Sequence, residues 1–261
     1  MESKINDFKV QPINVPVIAP KNIRGYKLFP EIYANVFLCA RKRSGKTSVI
    51  YNIIKECADR ETNVVVFCST HQKDANWREI KKYLDGKKIN NEFYTSLNDG
   101  GNVLSEIIQD LQYQVSDSES SSEEEEVVVK FKQDRKRKKK KKPTIISPKY
   151  IFIFDDLSGE LRKPEIAQLL KTNRHYKSKV IISSQYIHDL LPMSLRQIDT
   201  WLVFSGLPTE KLEQVYKQAD LSIDFDKFEE LYQRATAEKY SFFYIDTRAD
   251  KYRKNFNIEI E

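Results

Sequence analysis

The chain has 261 residues, 40% of them hydrophobic, with 14 Phe and 14 Tyr; this is enough apolar material for one sizeable core and excludes global disorder. The formal net charge is +6, but residues 116 to 142 hold ten Lys and Arg against seven Asp and Glu and so carry half of it. The remainder is only mildly basic, and charge alone assigns no partner.

No run of about eighteen apolar residues and no apolar N-terminal signal region is present, which predicts a soluble, intracellular protein without a membrane span. Cys39, Cys57 and Cys68 show no metal-type spacing. They are expected to be reduced, buried fillers.

Residues 1 to 30 contain four prolines and no helical periodicity, predicting an extended arm laid over the core. One domain, 31 to 261, follows. Its first strand is expected at 34 to 39, a helix from Lys46 to Asp59, and a second strand at 63 to 69, NVVVFCS, whose unbroken apolar run suits a strand covered on both faces. Helices are expected near 74 to 84 and 103 to 115. Between 116 and 142 the composition changes to an acidic block, SDSESSSEEEE, and a basic one, DRKRKKKKKP. With little to bury, this stretch predicts a disordered insert.

Beyond the insert the sequence predicts a strand at 150 to 156, a helix at 164 to 173, strands at 179 to 185 and 200 to 206, helices at 209 to 219 and 224 to 237, and a last strand at 240 to 246. Apolar strands alternating with helices predict an α/β fold, a mostly parallel sheet with helices on both faces.

The most informative residues are ANVFLCARKRSGKT, 34 to 47, a strand running into a phosphate-binding loop and then a helix. Ala40-x-x-x-x-Gly45-Lys46-Thr47 fits G-x-x-x-x-G-K-[ST] with alanine in place of the first glycine, at the turn out of the strand where a small residue is the main demand. A triphosphate needs a row of backbone N–H groups, an ammonium over its β and γ phosphates, and a hydroxyl on its magnesium ion. Ser44 to Thr47 can supply the N–H groups, Lys46 the ammonium and Thr47 the hydroxyl, with Ser48 next on the helix. Arg41, Lys42 and Arg43 add positive charge beside that anion site.

Four apolar residues followed by two acids, Ile151 to Asp156, are what a magnesium-dependent NTPase needs at the C-terminal end of a strand. Asp155 would hold the ion through water, and Asp156 would orient and activate the attacking water. If the strand VIISSQ lies between the other two, Ser183, Ser184 and Gln185 come near the γ phosphate, where Gln185 can bond the water or report hydrolysis. Arg174, just before that strand, is a candidate to neutralise charge on the transferred phosphoryl group, often across a subunit boundary; Arg196 is its rival. His175 is expected to be a structural hydrogen-bonder.

ARKRSGKT, IFIFDDL with aspartate as the second acid, and NRHYKSKVIISSQ resemble the poxvirus-type genome-packaging ATPases of large DNA viruses, a branch of the FtsK/HerA superfamily. LRQIDTWLVFSG and FFYIDTRADKYRKNF are also similar, so the likeness covers most of residues 34 to 257 outside the charged insert. The resemblance implies a RecA-like fold, hydrolysis of ATP with Mg2+, and movement of double-stranded DNA into a preformed viral shell by a homo-oligomeric ring, with capsid or portal proteins as partners and an assembly site in the infected cell, in cytoplasm or nucleus. By matching position it places phosphate binding on Ser44 to Thr47, magnesium on Thr47 and Asp155, the catalytic carboxylate on Asp156 and the γ-phosphate sensor on Gln185; Arg174 aligns with the arginine finger. The insert is not part of the family pattern.

Two other readings stand beside it. One is a helicase- or partition-type P-loop ATPase, against which speaks the lack of a helicase motif set or a second motor domain. The other is a non-catalytic DNA-binding scaffold gripping phosphates through Arg135 to Lys142, against which speak the intact Lys46, Thr47, Asp155 and Asp156.

Overall fold

The computed structural model of the protein describes residues 20–120, 145–157 and 159–261. Most of the expected N-terminal arm, 1–19, and most of the charged insert, 121–144, lie outside the described residues. Before the insert come β1 (Asn35–Cys39), α1 (Lys46–Cys57), β2 (Asn63–Cys68), α2 (Ala75–Lys87), β3 (Asn90–Tyr94) and α3 (Val103–Ser120). After it come β4 (Tyr150–Asp155), α4 (Pro164–Thr172), β5 (Ser178–Ser184), α5 (Pro192–Leu195), β6 (Thr200–Phe204), α6 (Thr209–Ala219), α7 (Phe225–Ala235), β7 (Phe242–Asp246), β8 (Lys251–Lys254) and β9 (Ile258–Ile260).

All of these strands join one sheet in the order β3-β2-β4-β5-β1-β6-β7-β8-β9. The first six run parallel, and β7 to β9 add an antiparallel wing. Alternating side chains divide the interior into two layers. Phe37, Phe67, Phe152 and Phe154 face the layer filled by α3, α4, α6 and α7. Val36, Leu38, Val64, Ile151 and Ile153 face the layer filled by α1 and α2. Strands covered on both sides carry apolar residues at every position, which is why they read as unbroken runs.

Three strands escape the sequence reading. β3, NNEFY, and the charged β8 and β9 lie towards the edges of the sheet, where one apolar face or none is demanded. The helix expected to end at Val115 continues to Ser120, into the start of the predicted insert. Segment 20–34 is no simple extended strap. It opens with a short 3-10 turn, makes a parallel bridge between Ile23 and Ile146, and buries Leu28 and Phe29 against the α1 side.

Asn35 ties the N-terminal ends of the central strands together. Its side-chain amide, 3% exposed, donates to the carbonyls of Leu170 and Gln197, each at 2.8 Å, and its backbone N–H donates to Asp199 Oδ2 at 2.8 Å. Asn35→Leu leaves two carbonyls without their donors, so it is expected to lower unfolding stability by about 2–4 kcal/mol. Denaturant unfolding checks this; a loss under about 1 kcal/mol would mean that water replaces the amide.

Candidate functional site

β5 separates β1 from β4, with Cys39 level with Ser184 and Asp155 level with Ser183. The loop after β1 and the acids ending β4 therefore face each other across one strand, at the carboxyl edge of the sheet, where open α/β sheets bind ligands. The loop turns through two positive φ angles, Arg43 at 62° and Gly45 at 91°. Only glycine adopts the second without strain. Gly45 caps α1 without a side-chain hydrogen bond, so the first N–H groups of that helix are left to a ligand, with the positive end of its dipole behind them.

A cleft of about 660 Å³ opens over this turn, lined by Lys42, Arg43, Gly45, Lys46, Thr47 and Ser48 from the loop and α1, by Asp155 and Asp156 from β4, and by Asp74, Asn76 and Tyr240. Lys46 is its centre. The ammonium lies 2.9 Å from Asp155 Oδ1 and 2.5 Å from Asp156 Oδ1. Burial alone pulls the Lys46 pKa down, but the carboxylates of Asp155 and Asp156 outweigh that and hold it above the ordinary lysine value. The side chain is a fixed cation on the cleft floor.

Asp155 is 2% exposed. Burial pushes its carboxyl up, opposed by the Lys46 ammonium, while the Asp156 charge adds to the rise and the Ser183 hydroxyl lowers it. Its Oδ2 accepts from the Trp77 indole N–H at 3.2 Å. Asp156 takes a left-handed φ of 54°, with its carbonyl accepting from the Ser69 hydroxyl at 3.3 Å. That turn swings the second acid out of the strand line and into the cleft.

Among the described residues no group of three or more His, Cys, Asp or Glu could hold a metal by itself. Thr47 and Asp155 do fit magnesium in another manner: a hydroxyl and a carboxylate are hard oxygen donors, and the ion commonly takes one or two such groups plus substrate phosphates. A cation, the Lys46 ammonium, already stands against Asp155.

Not every residue singled out from the sequence lines the cleft. Ala40 is fully buried behind the loop, and Arg41 reaches away towards Gly206. The Ser44 hydroxyl is buried with no hydrogen-bond partner. Gln185 follows β5 directly, between the β1 and β4 ends, half-buried and not lining the cleft. Ser184 is committed elsewhere, its hydroxyl donating to Asp189.

Arg174 and Arg196 lie at the opposite end of the strands. They share a pit of about 350 Å³ with Asn35, Asp199 and Arg248. The five residues of β1 separate that pit from the phosphate loop, roughly 15 Å of strand, so neither guanidinium reaches the cleft of its own chain. The structural hydrogen-bonder of the block is Asn173, whose Nδ2 donates to the Tyr33 carbonyl at 2.9 Å, while His175 is exposed. Asp74, Asn76, Trp77 and Tyr240 were not singled out. Each is brought to the site by a pairing distant in sequence. The three cysteines are free and buried, as expected, and no described helix is long and apolar enough to cross a membrane.

No family model and no curated protein sequence matches the chain. Solved structures do. The genome packaging NTPase B204 of Sulfolobus turreted icosahedral virus 2, in complex with AMP, superposes with a TM-score of 0.54 at 16% identity, over 85% of this chain and 96% of that one. The same NTPase with ATP-gammaS gives 0.52 at 17% identity, over 87% and 99%. B204 of Sulfolobus turreted icosahedral virus, a DNA-packaging ATPase, gives 0.52 at 16% identity, over 84% and 95%. At such identities the likeness is one of fold, and the chain has the α/β fold of these NTPases, a large and mostly parallel sheet flanked by helices.

Proposed function

We propose that the protein is a magnesium-dependent ATPase that moves double-stranded DNA into a viral shell during virion assembly, working as a homo-oligomeric ring at the assembly site of an infected cell. The observation that carries the ATPase reading is the Lys46 ammonium, held between the phosphate loop and two acids at the floor of an open cleft. The packaging reading leans on the sequence resemblance and on the activity named for the B204 structures.

In this reading the N–H groups of Ser44 to Thr47 take the phosphates, and Lys46 leaves the acids to lie along the β and γ groups. Thr47 and Asp155 would hold magnesium, which when bound neutralises charge on the phosphate oxygens. Once Lys46 has moved, Asp156 is free to accept a proton from water. Gln185, which follows β5, senses whether the γ phosphate is present in this reading. Arg174, remote from its own cleft, serves that of the neighbouring subunit, so a ring is part of the catalytic chemistry.

Trp77 acts as a positioning residue by fixing Asp155. Trp77→Phe keeps an aromatic ring in the core and removes the N–H. It is expected to lower kcat about tenfold and raise the magnesium needed for half-activity by a similar factor. A stability loss with an unchanged magnesium requirement would reduce Trp77 to packing. DNA movement is tested by ATP-driven displacement of a triplex-forming strand from long duplex DNA: displacement that needs ATP supports a translocase, and hydrolysis without displacement removes the motor from the reading.

A further inference from the structure

Tyr240 is placed against the ordinary preferences of a tyrosine. Its φ is 67°, a conformation uncommon for any residue but glycine and an outlier for a bulky side chain. The residue is 55% exposed, so no core packing rewards the strain. Neighbouring contacts fix the loop: Ser241 N–H donates to the Glu238 carbonyl at 3.2 Å, Glu238 pairs with Lys254 at 2.5 Å, and Phe242 N–H donates to Asn255 Oδ1 at 3.1 Å. The ring lies against the phosphate loop. A Cβ on Gly45 would sit 3.4 Å from its Cδ1. The Lys239 ammonium lies 4.7 Å from the ring centroid.

Sheet order gives this placement a direction. The acids contacting Lys46 end β4, two strands from β1 on one side. Tyr240 precedes β7, two strands from β1 on the other. Because β7 is antiparallel to β6, with Phe242 level with Phe204, its start lies at the same carboxyl edge as the phosphate loop. A triphosphate held over Gly45 and Lys46 with its terminal phosphate at the acids extends its other end away from β4. Tyr240 lines the cleft on that side.

We infer that Tyr240 is the platform on which the nucleobase stacks, which rests on the nucleotide-binding reading above. An exposed aromatic face is the chemistry for this task, because every base offers a π-face to it. Stacking reads little of a base's edge, so Tyr240 strengthens binding of nucleotides as a class over bare polyphosphate.

The test compares binding of ATP and of inorganic tripolyphosphate, both with magnesium, by isothermal titration calorimetry. Tyr240→Gly removes the ring while accepting the positive φ without strain, and Tyr240→Phe keeps the ring. The expected result is that Tyr240→Gly weakens ATP about tenfold or more and tripolyphosphate by less than about twofold, with Tyr240→Phe close to wild type. Unchanged ATP affinity in Tyr240→Gly, or equal weakening of both ligands, would overturn the stacking role, the latter assigning Tyr240 to the shape of the phosphate loop. A wild-type protein that binds neither ligand would remove the nucleotide site itself, a result distinct from both.

Discussion

Lys46→Met is expected to abolish the proposed ATP hydrolysis and also to destabilise the empty protein. Turnover should fall by about 10²–10³-fold or more, because the cation that meets the charge developing on the phosphates is gone. The stability effect arises separately. Asp155 is 2% exposed and lies 2.9 Å from the Lys46 ammonium; removing the ammonium leaves a buried carboxyl group without its cationic partner, at a cost of about 3 kcal/mol where it is ionised. Burial already pushes the Asp155 carboxyl above its ordinary value, and the variant pushes it further. A carboxyl raised on folding is harmless while protonated, so the variant's deficit is small in acid and grows as pH rises through that raised value. Adding Asp155→Asn should recover most of the stability and none of the activity. Urea unfolding at several pH values, paired with phosphate release, separates the two effects. A single variant as stable as wild type at neutral pH would mean that the ion pair contributes little.

Under the proposed mechanism, Asp156→Asn and Arg174→Ala are each expected to inactivate the protein alone, and a mixture of the two is expected to regain activity. Asp156 lines the cleft, whereas Arg174 opens at the other end of the sheet, so an active site that uses both is completed by two copies. Loss of a general base costs about 10²–10⁴-fold, and loss of a phosphoryl-stabilising arginine about 10³-fold or more. In randomly mixed assemblies about a quarter of the interfaces pair an intact Asp156 with an intact Arg174. Recovered turnover at equimolar mixing supports catalysis between subunits. Failure to recover, with mixed assemblies demonstrated by native mass spectrometry, would make Arg174 a structural residue; repeating the experiment with Arg196→Ala decides between the two arginines of the pit.

The interior strands and the glycine turn into α1 were legible because local sequence determines them. An apolar run such as NVVVF has no comfortable place outside a doubly covered strand, and a glycine, lysine and threonine in series fit a helix start that binds anions. The two acids of β4 were legible for the same reason, since charge at the end of an apolar run marks a strand's exit. Strands at and near the edges were not, because β3, β8 and β9 satisfy their neighbours mainly through backbone bonds and leave weak side-chain patterns. Trp77 reaches Asp155, and Tyr240 reaches Gly45, only through the order of strands in the sheet, which no local signal encodes. The same holds for Arg174. Its type and its place before β5 were readable, but its distance from its own cleft follows from the direction of β5, and that distance is what the proposed role in a neighbour's site rests on.

The measurement closest to the central claim is phosphate release from ATP by the purified protein with magnesium, with and without long double-stranded DNA, alongside Lys46→Met and Asp156→Asn. Turnover by the wild type, stimulated by DNA and abolished by both substitutions, is the predicted result. No turnover under any of these conditions, from a folded protein that still binds DNA, would contradict it.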